Sequence, residues 1–148
     1  LGERAKFELE ALEAHNKYRQ LHNAPLLTYS KELSNDCKVW ADVLAPGGVI
    51  EQSPTNNGEN IWAKMDITEE NQLSEHFTQL VWQETKEMGI AYSVSNKGAF
   101  VVAQYSPHGN VTKPNSFEAN VLPKLPGSRH CPKKKDPKLK KAERSPCN

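Results

Sequence analysis

The sequence predicts an α+β fold in which helices pack against a small antiparallel sheet. Two stretches, 3–22 and 30–45, have apolar residues that recur as in a helix that buries one face, at three- to six-residue intervals in the first and at i, i+4, i+7, i+8 and i+11 in the second. Two apolar stretches, 89–94 and 99–105, have strand character and flank a turn of hairpin type at 95–98. A chain of 148 residues without internal repeats is long enough for one domain with a real core.

The first helix is predicted over residues 3–22, and Pro25 ends the segment beyond it. Its recurring apolar residues are Ala5, Leu9, Leu12 and Tyr18. Ser30 is a candidate N-cap for the second helix, which is predicted to stop at the Pro-Gly-Gly sequence of 46–48. The core face of this second helix comprises Leu33, Cys37, Trp40, Ala41 and Leu44. Cys37 is therefore predicted to be a buried free thiol and not a nucleophile.

The middle of the chain is predicted to contain little regular structure. Residues 49–58 form a polar loop, and 61–63 are predicted to be a short buried strand or turn. The segment 64–74 is short and polar, with one helical turn predicted to begin at Thr68.

A third helix around His76 is predicted to end at Gly89, where the first strand of the hairpin begins. Its apolar stripe comprises Phe77, Leu80, Val81 and Trp82. Alternate residues of the hairpin are predicted to form one face that packs against helices: Ile90, Tyr92, Val94, Phe100 and Val102.

The net charge of +1 conceals two oppositely charged parts. From Lys124 onward the chain has nine Lys and Arg and two acidic residues, a net charge of +7. Residues 1–123 therefore hold the other 10 basic and 16 acidic residues, a net charge of −6. Because a Lys- and Pro-rich segment cannot bury enough apolar surface to fold alone, we expect a domain over 1–123 and a disordered basic tail over 124–148.

Cysteine content and hydropathy restrict the class of protein further. Of three cysteines only Cys37 lies in the domain, while Cys131 and Cys147 lie in the tail and could pair with each other or stay free. This pattern favours a reducing compartment. No run approaches the roughly 18 apolar residues of a membrane span, and no secretory leader is recognisable.

Four ordered motifs between residues 15 and 111 carry a family resemblance. They are His15-Asn16-Lys17-Tyr18-Arg19, Gly58-Glu59-Asn60-Ile61, the stretch from Glu75 to Trp82 with Thr85 after it, and the stretch from Phe100 to Val111. Together they resemble the marks of the CAP superfamily, which groups cysteine-rich secretory proteins, insect-venom antigens and plant pathogenesis-related proteins. One such motif is a weak signal, whereas four in order are specific.

The resemblance is closest to the Golgi-associated plant pathogenesis-related branch, whose members are not secreted. Ala103 stands where secreted members carry cysteine, and residues 117–123 are similar to the C-terminal end of that branch. The resemblance implies a three-layer α-β-α sandwich. It also implies an intracellular protein, cytoplasmic or peripheral on the Golgi membrane, with secretion as the alternative.

The same resemblance implies a central cleft, which in many CAP proteins holds two histidines and two glutamates that bind zinc or another divalent ion. Glu59 and His76 match one glutamate and one histidine, but Gln52, a poor metal ligand, stands in place of the other histidine. The second glutamate normally lies on a helix between Glu59 and His76, where only the sixteen residues 60–75 remain. That helical segment is therefore predicted to be shortened or deleted. No spacing assigns its role to Glu69, Glu70 or Glu75.

Six further motif residues are predicted to be structural: His15, Asn16, Arg19, Asn60, Gln79 and Tyr105. The ordinary interpretation of the first three is a polar cluster that pins neighbouring backbone. Because only two of the four metal-binding residues of the family are matched, we expect no catalytic residue and no cofactor. Zinc or another divalent ion is the alternative to the absence of a cofactor.

Three classes of function are compatible with these features. The first is a non-catalytic CAP domain that binds a lipid or membrane surface, or a protein partner, with the tail either contributing attachment or only improving solubility. The second is a metal-dependent or Ser/His hydrolase with His76 and Glu59 as acid and base, although the sequence has no Gly-x-Ser-x-Gly or His-Glu-x-x-His motif.

The third class, nucleic-acid binding, is disfavoured because the tail has no aromatic residue for base stacking. We expect anionic lipid or a membrane surface as the partner, with a protein partner or a homodimer as alternatives, and no nucleic acid.

Overall fold

The structure is a computed structural model that describes residues 2–64 and 73–126. Its elements, in chain order, are α1 (Glu3–Leu21), β1 (Thr28–Tyr29), α2 (Lys31–Gly47), β2 (Gly58–Lys64), α3 (Leu73–Leu80), β3 (Glu87–Ser95), β4 (Gly98–Ser106) and α4 (Ser116–Asn120). The helical turn predicted to begin at Thr68 lies outside the described residues.

The four strands form one sheet in the order β1-β3-β4-β2. β3 and β4 form the predicted antiparallel hairpin, and β2 pairs antiparallel with β4 over all seven of its residues. The two-residue β1 pairs in parallel with β3, so the sheet is mixed and not wholly antiparallel as predicted. α1 and α3 lie on one side of the sheet and α2 on the other, which confirms the α-β-α sandwich.

α1 packs on the sheet through a face that is partly apolar and partly polar. Its apolar contacts with the sheet are made by Phe7, Ala11 and Leu12, which pack against a cluster of Leu27, Met88, Ile90, Ala103 and Tyr105. His15 and Arg19 continue this face and are buried. Leu9 and Tyr18, which belong to the apolar pattern in the sequence, are 47% and 41% exposed, so the predicted pattern identified the packed face at Leu12 but not at these two positions.

α2 begins and packs as predicted but ends later. The Ser30 hydroxyl accepts a hydrogen bond from the backbone N–H of Leu33 at 3.2 Å, which confirms the N-cap. The helix continues through Pro46 to Gly47, and Gly48 ends it in the left-handed conformation with φ of 69°. Cys37 is a buried free thiol, as predicted, and burial raises its pKa to about 12.

The hairpin packs on both faces and not on one as predicted. Ile90 pairs with Ala103, and both lie in the cluster under α1. Val102 lies on the opposite face, in a cluster with α2. That second cluster comprises Cys37, Ala41, Leu44, Ala45, Ile61, Ala91, Phe100 and Val102. Val94, which the sequence places with them, is 67% exposed at the end of the strand.

α3 ends at Leu80, and the prediction that it extends to Gly89 was wrong. Residues 81–86 are turn and irregular backbone, and β3 begins at Glu87, so Gly89 lies inside a strand. α2 crosses this strand so closely that a Cβ on Gly89 would lie 2.2 Å from the backbone nitrogen of Ser34. The glycine therefore permits close packing of α2 on the sheet, and it does not end a helix.

The segment between α2 and α3 follows the prediction in part. Residues 49–57 contain no helix or strand, as expected of a polar loop. The short strand predicted at 61–63 is the centre of the longer β2. Within the described part of the chain, no helix combines the length and the apolar character needed to cross a membrane.

Candidate functional site

A polar cleft of about 100 Å³ lies along β2, the last strand in the described part of the sheet. Its lining residues are Ile50, Gln52, Glu59, Asn60, Ile61, His76 and Asn110. The three residues predicted for a cavity, Gln52, Glu59 and His76, therefore lie together. Successive residues of a strand point to opposite faces, so Glu59 and Asn60 reach the cleft from the two sides of the sheet.

Glu59 is held in the cleft by three hydrogen bonds. Its Oε1 accepts the backbone N–H of Ser53 at 2.8 Å, and its Oε2 accepts the Ser53 hydroxyl at 2.5 Å. Gln104, its cross-strand partner on β4, donates from Nε2 to the same Oε2 at 2.9 Å. These contacts fix the carboxylate and use most of its capacity to accept hydrogen bonds.

His76 reaches the cleft from α3, on the α1 side of the sheet. Its ring lies 5.1 Å, between centroids, from the ring of Trp62 on β2. Its backbone carbonyl accepts a hydrogen bond from Asn60 Nδ2 at 3.1 Å. Asn60 and Trp62 therefore fix the position of α3 against the edge of the sheet, and with it the position of the imidazole.

Five residues around the cleft were missed by sequence reasoning: Ile50, Ser53, Ile61, Gln104 and Asn110. Ser53 follows Gln52 directly, and Gln104 follows Ala103 in a motif already recognised, so both lay beside positions that had been considered. The register that pairs Gln104 with Glu59 joins residues 45 positions apart, and no local pattern reveals it. Asn110 accepts a hydrogen bond from the Thr78 hydroxyl at 2.6 Å.

The described residues of the cleft do not fit a zinc ion. Zinc is bound by thiolate, imidazole and carboxylate groups, commonly four in number. Here the cleft offers one imidazole and one carboxylate, and that carboxylate already accepts three hydrogen bonds. Among the side chains that the structure describes, those of residues 2–64 and 76–126, no group of three or more His, Cys, Asp or Glu could hold a metal ion. The side chains of Glu69, Glu70 and Glu75 lie outside these ranges.

A buried chain of hydrogen bonds links α1, β4 and β2 behind the cleft. Nδ1 of His15 lies 2.8 Å from the carbonyl of Ala11, which can only accept, so Nδ1 carries the proton. Nε2 of the neutral ring then accepts from the Tyr105 hydroxyl at 2.7 Å. Asn60 Nδ2 donates to that hydroxyl at 3.3 Å, which connects this chain to the cleft.

Asn16 and Arg19 bind backbone. The side-chain amide of Asn16 both donates to the carbonyl of Leu27, at 3.1 Å, and accepts from its N–H, at 2.7 Å. Arg19 is fully buried, and its guanidinium donates to four carbonyl oxygens, those of Pro25, Leu80, Trp82 and Thr85. Burial lowers its pKa to about 10, which leaves it protonated at neutral pH.

Gln79 positions the loop that follows β4. It is buried, and its Oε1 accepts the backbone N–H of Gly109 at 2.7 Å. Its Nε2 donates to the Thr85 hydroxyl at 3.1 Å, which in turn donates to the carbonyl of Pro107 at 2.8 Å. The loop continues to Asn110 at the cleft, so Gln79 acts on the site through the backbone.

The neutral state of His15 predicts a stability that depends on pH. Burial is the largest cause that lowers the pKa of His15 below 6.5, the charge of Arg19 lowers it further, and the hydrogen bond to Ala11 opposes both. In the unfolded chain the same imidazole binds a proton near pH 6.5, whereas in the folded chain it does so only at a lower pH. The contribution of His15 to the free energy of unfolding is therefore complete above pH 6.5 and is lost as the pH falls below it. Urea unfolding of the native chain between pH 8 and pH 5 should show this loss.

The control for this prediction is His15→Gln. Its free energy of unfolding should fall less steeply with decreasing pH than that of the native chain, whatever its absolute stability. Equal slopes for the two proteins would assign the pH dependence to other groups.

The chain belongs to the CAP family. The family model described as "CAP: Cysteine-rich secretory protein family" matches residues 12–75 and 65–105. The two matched pieces overlap over residues 65–75, within the segment predicted to be shortened.

Among its relatives, the chain is 37% identical to the human Golgi-associated plant pathogenesis-related protein 1, over 80% of this chain and 94% of that protein. That alignment is 144 positions long, but it covers only 80% of this 148-residue chain. It therefore includes positions at which the human protein has a residue and this chain has a gap. The secreted protein PRY1 of Candida albicans is 33% identical over 80% of this chain, which spans only 33% of that protein.

A solved structure shows the same fold. The crystal structure of NaASP2 with Zn2+ superposes with a TM-score of 0.55, covering 68% of this chain and 78% of that one, at 22% identity.

Proposed function

We propose that this CAP domain is a non-catalytic binding module that attaches to an anionic lipid or membrane surface, or to a protein partner. The observation that supports attachment to a membrane is the separation of charge along the chain: residues 1–123 have a net charge of −6, and the tail from Lys124 has a net charge of +7. A basic segment is attracted to anionic lipid head groups, each Lys or Arg near the surface contributing about 1 kcal/mol.

The hydrogen bonds of Glu59 support the non-catalytic part of the proposal. A general base needs an accepting oxygen directed at the water or hydroxyl that it deprotonates. Both oxygens of Glu59 instead accept from Ser53, and one also accepts from Gln104. The arrangement suits a carboxylate that holds the 50–53 segment against β2.

The alternative is a metal-dependent or Ser/His hydrolase that uses His76 and Glu59. In its favour, the two side chains share one cleft, and the solved structure of NaASP2 contains zinc. Against it, Gln52 contributes a neutral amide to the same cleft. Calorimetric titration with zinc separates the two, since a hydrolase of this kind would show saturable heat that His76→Ala abolishes.

Membrane attachment predicts a specific effect of the tail lysines. The test variant is the full chain with five of these lysines replaced by Gln: Lys133, Lys134, Lys135, Lys140 and Lys141. Binding to phosphatidylserine-containing vesicles at low ionic strength should weaken at least about tenfold, because five attractive charges are lost. The measurement is co-sedimentation at increasing salt, where the difference between the proteins should shrink as charges are screened.

A matched control removes the same number of charges from exposed positions of the domain. Those positions are Lys31, Lys64, Lys86, Lys97 and Lys113. This variant has the same net charge as the tail variant but keeps the tail intact. If both variants lose binding equally, net charge and not the tail drives attachment. If the native chain shows no preference for anionic over neutral vesicles, membrane attachment itself is wrong.

We further propose an intracellular location, cytoplasmic or peripheral on the Golgi membrane. The name of the human relative and the single cysteine in the domain support it. Secretion is the alternative, since the Candida albicans relative is named a secreted protein.

A further inference from the structure

We propose that the domain meets the membrane through the C-terminal end of α1. The surface concerned, called here the α1-end patch, comprises Tyr18, His22, Phe77 and Leu125. This inference rests on the proposed attachment to anionic lipid and adds which face of the domain touches the bilayer.

Contacts between three chain segments bring these residues together. The ring of His22 lies edge-on against the ring of Phe77, with 5.1 Å between centroids. The backbone N–H of Leu125 donates to the carbonyl of Leu21 at 2.7 Å, which fixes the last described segment against the end of α1. Tyr18 lies one helical turn before His22 on the same side of α1.

The patch exposes aromatic and aliphatic surface. Tyr18, Phe77 and Leu125 are 41%, 40% and 42% exposed. Tyr and Phe suit the interface of a bilayer, where one part of a side chain enters apolar surroundings and another meets water. Exposure alone does not identify a docking face, because Val39 and Val43 on the outer face of α2 are 65% and 55% exposed.

Charge distinguishes the two surfaces. The basic tail leaves the domain at this patch, since Leu125 lies against Leu21 and the +7 segment begins at Lys124. Three of the four acidic residues of α1, Glu3, Glu8 and Glu10, lie in the N-terminal half of that helix, and Glu13 lies near its middle. Attraction of the tail to anionic lipid therefore brings the α1-end patch to the surface, whereas the outer face of α2 lies across the sheet from α1.

The depth of individual side chains in the membrane tests this orientation. Phe77→Trp and Val43→Trp are made separately in the full chain, which has three native Trp as a common background. Each is mixed with vesicles of brominated phosphatidylcholine containing about 30% phosphatidylserine. We expect bromine to quench the added fluorescence of Phe77→Trp and to leave that of Val43→Trp unchanged.

Affinity provides a second and independent measurement. The double variant Tyr18→Ser, Leu125→Ser should bind the same vesicles about fivefold more weakly, because apolar surface that enters the head-group region is lost. The matched control is Val39→Ser, Val43→Ser, which removes more exposed apolar side chains from the other layer and should change binding less than twofold. Circular dichroism establishes that each variant is folded.

The outcomes separate this inference from the proposed function. If the native chain binds anionic vesicles but Val43→Trp is the quenched variant, or if the two serine variants behave alike, the assigned face is wrong and attachment stands. If the native chain does not bind, both proposals fail. If Tyr18→Ser, Leu125→Ser dissociates an oligomer, as measured by sedimentation velocity, without weakening vesicle binding, the patch is a contact between copies and the proposal is overturned.

Discussion

Replacing Arg19 with Met is expected to leave most of the chain unfolded under conditions where the native protein is folded. Arg19 is fully buried and donates hydrogen bonds of 2.6 to 3.0 Å to the carbonyls of Pro25, Leu80, Trp82 and Thr85. Two of these acceptors, Leu80 and Trp82, mark the end of α3, and Thr85 precedes β3. One side chain thus joins α1 to the connection that carries the chain from the α3 layer into the sheet.

The expected size follows from the groups that Met would leave behind. Each buried carbonyl deprived of its donor costs about 1–3 kcal/mol, and removal of one partner of a buried charged network typically costs about 3–5 kcal/mol. The total stability of a domain of this size is about 5–15 kcal/mol. Arg19→Lys should recover little, because one ammonium group presents three donors from a single point and cannot reproduce the planar guanidinium.

The control is Lys6→Met on the same helix. Lys6 pairs with Glu10 at 3.8 Å, and the two side chains are 72% and 63% exposed. An exposed pair of this kind contributes at most about 1 kcal/mol, so this variant should unfold at nearly the native urea concentration. A similar small change for Arg19→Met would mean that the four carbonyls find other donors, and the buried arginine would then be dispensable.

Arg19 also shows how far sequence reasoning reached. The prediction of a polar cluster that pins backbone needs only the residue types near the end of one helix. The acceptors at Leu80, Trp82 and Thr85 lie more than sixty positions away along the chain. Local periodicity carries no information on such pairs, so the sequence could indicate the kind of interaction but not which elements it joins.

The residues of the cleft show the same limit of prediction from sequence. Gln52, Glu59 and His76 were found through family motifs, and they do line one cavity. The partners that decide what Glu59 can do, Ser53 and Gln104, depend on the path of the loop that contains Ser53 and on the register of β2 against β4. Strand register follows from the whole sheet and not from a motif. The sequence therefore could not show whether the Glu59 carboxylate is free or hydrogen-bonded.

The hairpin illustrates a limit of alternation patterns. A period of two shows which residues share a face of one strand, but it does not show how the faces of two strands correspond. The pairing of Ile90 with Ala103, and of Ala91 with Val102, settles this in the structure. Since helices cover both sides of the sheet, nearly every residue in the first half of β3 is buried, and a simple alternation is absent.

Gly89→Ala is expected to destabilise the domain by about 3 kcal/mol, the upper range for overpacking a close-packed core. The added Cβ would lie 2.2 Å from the nitrogen of Ser34 and 2.4 Å from the carbonyl carbon of Leu33. Both are backbone atoms of α2, so no side-chain rotation relieves the contact and the helix must move off the sheet. Movement would also break the bond from the N–H of Ile90 to the Ser34 hydroxyl, which is 3.0 Å long.

Gly47→Ala provides a control with the opposite sign. Gly47 is the last residue of α2, and a Cβ built there meets no atom within 4 Å. Alanine loses less backbone entropy on folding, so this variant should gain about 0.4–1 kcal/mol. Urea unfolding of the two variants measures both effects with one added methyl group each. The sequence predicts that both glycines end a helix, which would give the two substitutions similar effects. The close contact at Gly89, which Gly47 does not share, predicts effects of opposite sign on the free energy of unfolding. Equal losses for the two variants would contradict the packing of α2 on β3.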